Sequence, residues 1–185
     1  MAYQEVSLTI KDAQLAFENA KVRVIALRDS PRLDLAGFSI GPFEEGKEYE
    51  VRLWVARELQ KAGIARVRDE SFDSTTLHRI HWTERIQAVS RISALPSGFY
   101  PKLRMLLSAL KESSKDDPEI LREYELVKRL SQDIVDCRLK KIVSLASTPG
   151  NKGHILRNLT EEERDLYGRL EDIISSWRSE ILKVV

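Results

Sequence analysis

Cysteine is almost absent from this chain: one thiol, Cys137, occurs in 185 residues. A single cysteine forms no intrachain disulfide and supplies no cysteine-based zinc site, which fits a reducing, intracellular compartment. An excess of one charge is missing too. The 30 lysines and arginines stand against 29 aspartates and glutamates, a net charge of +1, whereas a protein held mainly by the nucleic-acid backbone carries a clear cationic surplus. No apolar run approaches the roughly 18 residues that a membrane helix requires. The opening M-A-Y-Q-E-V-S-L-T-I-K-D lacks the basic, apolar and small-residue succession of a secretory leader, so a cytosolic or chromosome-associated protein is expected.

Reactive motifs are equally scarce. His78 and His81 form H-x-x-H, but no cysteine lies nearby and no glutamate completes an H-E-x-x-H frame, so both are read as structural or exposed. The loop T-P-G-N-K-G-H holds Gly150, Lys152 and Gly153, yet lacks the G-K-[ST] ending and preceding strand of a phosphate loop, and reads as a connection between helices. His154 in that loop is given no role. Cys137 sits among apolar neighbours without an activating base and reads as a core thiol. No serine nucleophile elbow is present. Catalytic residues, cofactor-binding residues and metal ligands are therefore expected to be none.

What the chain does have is two styles of patterning in succession. Residues 10–20 suit a short helix carrying Leu15 and Phe17, and residues 21–27 (K-V-R-V-I-A-L) alternate as a strand does. Gly41-Pro42 and Gly46 punctuate β-branched and aromatic runs, as turns between strands require. After Arg52 the period changes: Leu53, Trp54, Val55, Ala56 and Leu59 suit a short helix ending near Gly63, and residues 64–68 return to strand-like alternation. The polar stretch D-E-S-F-D-S at 69–74 is the expected linker. The fold class read from this is α+β, a small N-terminal β-rich domain over 1–70 followed by an all-α domain over 74–185.

Four helices are expected in the second part. The first covers 75–92 and stops before Pro96; the second covers 100–111 with Leu103, Leu106, Leu107 and Leu110 on one side. Asp117-Pro118 gives an N-cap and a proline at the first helical position, opening a helix of seven to eight turns over about 118–146 that Pro149-Gly150 terminates. Its apolar residues fall on two lines, Ile120, Tyr124, Val127 and Ile134, then Val135, Leu139, Ile142 and Ala146, so it needs cover on more than one side. The last helix opens with Thr160 and Glu163 at capping-box spacing, and Leu166, Leu170, Ile173, Ile174, Trp177 and Ile181 share a face. Two basic clusters, Arg85, Arg91, Lys102 and Arg104, and Arg138, Lys140 and Lys141, read as solvated helix faces. The competing reading is a helical DNA-binding regulatory protein, but no recognition helix with clustered base-reading side chains stands out.

The segments taken in order resemble a subunit of the GINS replication complex, over nearly the whole chain. In the β-part, G-F-S-I-G-P-F-E-E-G-K-E-Y-E-V, with Gly41, Pro42, Phe43 and Gly46, and the following Leu53-Trp54-Val55-Ala56, is similar to the family's small β-domain. In the helical part, Leu95-Pro96-S-G-Phe99-Tyr100-P-K-Leu103, Arg138-L-K-Lys141-Ile142-V-S-Leu145-Ala146 and L-T-E-E-E-R-D-L-Tyr167 resemble three characteristic segments of its helical domain. The β-first order resembles the class of the second and third partner subunits in eukaryotes and their single archaeal counterpart, and the short connections favour the archaeal version. The resemblance implies a non-enzymatic scaffold, cytoplasmic and chromosome-associated, or nuclear in a eukaryote. Its implied partners are an α-domain-first GINS subunit in a 2:2 heterotetramer, the minichromosome maintenance helicase, a RecJ-like DHH-family protein, and primase and DNA polymerase. DNA contact would be weak or indirect, and no membrane is involved. The interface candidates are Ile134, Arg138, Ile142 and Leu145 on the long helix and Leu166, Leu170, Ile173, Trp177 and Ile181 on the last. The helix at 10–20 matches no motif of the family.

Overall fold

The computed structural model describes residues 2–35, 37–68, 72–115, 117–150 and 152–183. The chain divides into two compact units, one of residues 14–71 and one of residues 1–13 with 72–185. The first helix, α1 (Ala2–Asn19), ends where the pattern over 10–20 places it but begins eight residues earlier, and it contributes to both units.

In the β-unit, β1 (Lys21–Ala26) is the central strand of an antiparallel sheet. It pairs on one side with β4 (Glu48–Arg52) and on the other with β5 (Ala65–Val67), so that Val24 faces both Tyr49 and Val67. A separate two-stranded ladder joins β2 (Leu33–Leu35) to β3 (Phe38–Ile40), with Leu33 opposite Ile40. The chain leaves β4 directly into α2 (Leu53–Lys61), whose Leu53, Val55, Ala56 and Leu59 are buried. Gly63, at φ +66°, stops that helix. Its amide donates to the Gln60 carbonyl and the Ile64 amide to that of Leu59, the paired bonds of a Schellman motif, which needs a residue at positive φ. Val24, Phe43, Val55, Ala56 and Leu59 fill the centre of the core. Alternation thus buries one face of the sheet, and α2 covers it.

The helical unit comprises α3 (Ser74–Ile86), α4 (Phe99–Ser113), α5 (Pro118–Ser147), a one-turn α6 (Gly153–Leu156) and α7 (Glu161–Ile181). Of the linker expected over 69–74, residues 69–71 lie outside the described residues. Asp73 caps α3 by accepting from the Thr76 amide. The first helix of this unit ends at Ile86, not at the expected 92, and residues 87–98 run non-helically. The strap can sit against the core because side chains take up its backbone groups: Asn158 Nδ2 donates to the Ile92 carbonyl at 2.8 Å and Arg138 Nη1 to that of Ser93 at 2.7 Å. α5 is the spine. Its 30 residues serve two cores, Leu77, Ile80, Phe99, Leu103, Val127, Leu130 and Ile134 against α3 and α4, then Ile92, Ile142, Ala146, Leu159 and Tyr167 against α7 and the strap. Both expected caps are present: Asp117 Oδ1 accepts from the Glu119 and Ile120 amides, and Thr160 and Glu163 close a reciprocal box.

Candidate functional site

At the centre of the helical unit four charged side chains meet with almost no access to water. Arg138 and its partners Glu84 and Glu163, with Lys141, are each at most 3% exposed. The Arg138 guanidinium grips Glu163 with two bonds, Nε to Oε1 at 2.8 Å and Nη2 to Oε2 at 2.6 Å. Its other three N–H groups go to Glu84 Oε1 at 3.1 Å, the Ser93 carbonyl at 2.7 Å and the Asn158 carbonyl at 3.4 Å. Every donor of the fork is used. Lys141 Nζ donates to Glu84 Oε2 at 2.7 Å, Ser93 Oγ to Glu84 Oε1 at 2.8 Å, and Tyr100 OH to Glu163 Oε1 at 2.7 Å. Two cations balance two anions, so the cluster is neutral and its internal bonds offset the cost of drying it.

The surroundings act on each group. Burial alone raises the Glu84 carboxyl, but the bonds from Lys141 and Ser93 and the charges of Arg138 and Lys141 outweigh it and hold the group below the usual carboxylate range. Burial opposes the charge on Arg138 as well, and Glu163 and Glu84 reverse the effect and raise it. Burial, then the charge of Glu163 and the bond to it, push the Tyr100 phenol well up. A carboxylate whose oxygens already accept from an arginine, a tyrosine and the Thr160 amide, as those of Glu163 do, has nothing left for a substrate. The cluster is a structural pin.

It also explains the spacing of the three helical-domain segments. Tyr100 comes from the first, Arg138 and Lys141 from the second, and Glu163 from the third; their neighbours Phe99, Ile142 and Tyr167 are buried beside them. Leu95 is partly buried and Pro96 exposed. The residue missed by sequence reasoning is Glu84. Its signal is position: it shares the buried line of α3 with Leu77 and Ile80, and an acid on an apolar face requires a partner.

Burial sorts the interface candidates. Ile134, Arg138 and Ile142 are 0%, 1% and 2% exposed; they are closed into the chain's own core because α5 is covered from two sides, and they offer no surface to a partner. Arg138 and Lys141 are also not the solvated basic face expected for them, and only Lys140 of that cluster is exposed. Leu145, Leu166 and Leu170 pack partly against the second core. Ile173, Trp177 and Ile181 are 64%, 64% and 63% exposed. They continue the face of α7 that packs in its first half. α7 runs alongside α5 in the same direction, Arg138 meeting Glu163 and, further along both, the Ser147 carbonyl accepting from Arg178 Nη2 at 2.7 Å. α5 ends there, so the later turns of α7 lose their support. On α5 itself Val135, Leu139 and Val143, one turn apart, remain 40%, 43% and 39% exposed. An apolar hollow between the two helices is lined by Val135, Leu139, Ile142 and Leu166, with Arg104, Glu162 and Asp165 around it.

The remaining sequence candidates are placed as follows. His81 Nε2 lies 2.6 Å from Asp133 Oδ2, which also receives Arg85 at 3.2 Å, while His78 faces solvent, so the two rings share no common centre. Among the described residues no group of three histidine, cysteine, aspartate or glutamate side chains is arranged to hold a metal. Cys137 is half-buried. In the β-unit Phe43 is 1% exposed and stacks edge-on against Tyr49, whose hydroxyl accepts from the Glu44 amide. Gly41 and Gly46 sit at φ +87° and +78°, the Gly41-Pro42 bond is cis, and Trp54 packs against the core.

A family model described as the GINS complex protein helical bundle domain matches residues 69–182, and one described as the PSF2 N-terminal domain matches residues 9–68. The chain belongs to the GINS family. It is a GINS complex subunit with the β-containing domain first, of a family of structural subunits in DNA replication not known as enzymes. Other GINS subunits are the partners that this membership implies. A search of curated proteins finds no match to the chain. In this GINS subunit, no helix among the described residues is long and apolar enough to cross a membrane.

Proposed function

We propose that this GINS subunit is a non-enzymatic scaffold that assembles through its helical domain and links the replicative helicase to other replisome proteins. The observation that carries the reading is the apolar face of α7 at Ile173, Trp177 and Ile181, left bare where α5 ends, beside the exposed stripe Val135, Leu139 and Val143. Obligate interfaces bury roughly 2,000 Å² or more and resemble a divided core; two bare stripes on helices locked together by a buried pin have that character. The partner is an α-domain-first GINS subunit, in a 2:2 heterotetramer of the archaeal kind. Leu166 lines the hollow beside that stripe. The division of labour is a β-domain over 1–70 that contacts replication proteins and a helical domain over 74–185 that oligomerises. The minichromosome maintenance helicase and a RecJ-like DHH-family protein are the first of those contacts, with primase and DNA polymerase beyond them. The setting is the chromosome.

Co-expression with an α-domain-first subunit, followed by light scattering on the purified material, tests this. A mixed complex with two copies of each chain is expected; a lone monomer beside an unbound partner refutes the reading. A chain shortened to begin near residue 71 is expected to keep its partner and lose stimulation of the helicase, so assembly and bridging are measured separately.

A further inference from the structure

The solvent face of α3 carries a second surface, unlike that of α7. Leu77, Ile80 and Glu84 turn inward, and the opposite face presents Thr75, His78, Arg79, Trp82, Arg85 and Ile86, all exposed. Trp82 is 69% and Ile86 63% exposed. They lie one turn apart, about 6 Å along the axis, and form an apolar ridge. Arg79 flanks the ridge on one side and Arg85, with His78, on the other, and α3 carries no exposed carboxylate among the described residues. Asp133 of α5 reaches Arg85 and His81, but His81, Arg85 and Lys140 all act on that one acid. Arg79 makes no direct ion pair among the described residues, and its charge acts on Asp73 at the N-cap. On α7, by contrast, Arg178 and Glu180, of opposite sign, flank the ridge of Ile173, Trp177 and Ile181.

A tryptophan flanked by arginines is the composition of binding hot spots, and a border where cations outnumber acids favours an anionic partner by steering and by repelling the wrong sign. Single-stranded nucleic acid fits less well. The centre is one aromatic and an aliphatic rather than a row of stacking rings. We propose that the α3 face, centred on Trp82 and Ile86 and bordered by Arg79 and Arg85, is a docking site for an acidic amphipathic helix of a partner protein. Two apolar anchors on the incoming helix, one turn apart, straddle the ridge, and its glutamates or aspartates meet the arginines.

The test uses the full chain and a labelled synthetic amphipathic helix with a leucine and phenylalanine stripe and glutamates elsewhere, followed by fluorescence anisotropy. A lysine version with the same stripe and an oligothymidine serve as rival probes. The acidic helix is expected to bind, to weaken with salt, and to lose about tenfold or more in affinity in Trp82→Ala and in Ile86→Ser, with a smaller loss in Arg79→Glu. Circular dichroism confirms that the variants fold, and Trp177→Asp is expected to leave the affinity unchanged. The proposal is overturned if the lysine helix binds equally well, if folded Trp82→Ala and Ile86→Ser leave binding intact, or if Trp177→Asp abolishes it. It is equally overturned if Trp82→Ala removes oligothymidine binding, or a self-association of the chain, instead.

Discussion

The two units handle charge in opposite ways. In the β-unit the ion pairs Lys21 with Glu50, Lys61 with Glu58 and Arg68 with Glu48 join side chains that are all more than 40% exposed. They decorate a unit whose apolar centre is closed by its own residues. In the helical unit the strongest pairs are dry, with Arg138, Glu84, Glu163 and Lys141 at 3% exposure or less, while large apolar side chains face water. An ordinary domain does the reverse. A unit that spends its charges inside and leaves Trp177 and Ile181 outside is rigid within itself and unfinished at its surface, as a subunit must be.

The largest expected effect breaks the dry cluster. Arg138→Ala leaves Glu163 and Glu84 buried without their common partner, and should destabilise the helical unit by about 3–5 kcal/mol, read as a drop in the denaturation midpoint by circular dichroism. An unchanged midpoint would mean that water enters the cluster freely. In the β-unit the sensitive point is an apolar one. Phe43→Ala empties the middle of that core and should cost about 3 kcal/mol or more, whereas a loss below about 1 kcal/mol would show that Tyr49 closes over the gap. Trp177→Asp should leave the folded chain intact and weaken its complex with the partner subunit by about 2 kcal/mol or more. A folded variant that still gives the full complex mass takes Trp177 out of the interface.

Acid sharpens the contrast. Glu84 is held below its ordinary carboxyl value, so its contribution is complete above the unfolded-state value and is lost as pH falls through the lowered one. Between about pH 5 and pH 3, thermal stability of the natural chain should therefore fall more steeply than that of Glu84→Gln, and equal slopes would assign the acid sensitivity elsewhere. The smallest effect belongs to the surface. Arg68→Ala removes an exposed pair with Glu48 and should shift stability by less than about 1 kcal/mol, an effect that disappears at high salt.

Local chemistry was readable in the sequence and long-range pairing was not. Asp117 before Pro118 and the Thr160 and Glu163 box announce helices because a cap needs only residues within one turn. Gly63 after α2 did the same for a stop. Arg138 and Lys141 looked like a wet basic face because their partner Glu84 lies 54 and 57 residues away in sequence, and nothing in a local pattern weighs a partner so distant. The end of α3 was misread for a related reason: Val89 and Ile92 sustain an apolar rhythm, but the strap's carbonyls are captured by Arg138 and Asn158 from other elements. Of the candidate surface, the apolar face of α7 was visible as a whole, and only the length of α5 decides which half of it stays bare.

The dry cluster also governs when the helical unit can come into being. Its members are drawn from Glu84, Tyr100, Arg138 and Glu163, so a chain emerging from synthesis holds a charge with no mate until the start of α7 has appeared. A fragment cut before Glu163 meets the same difficulty. Closure is thus deferred until α7 begins, which sets a high separation between the contacts that must form together and ties folding of the unit to synthesis of that helix. Shortened products would remain open to proteolysis instead of competing with the intact subunit for its partners.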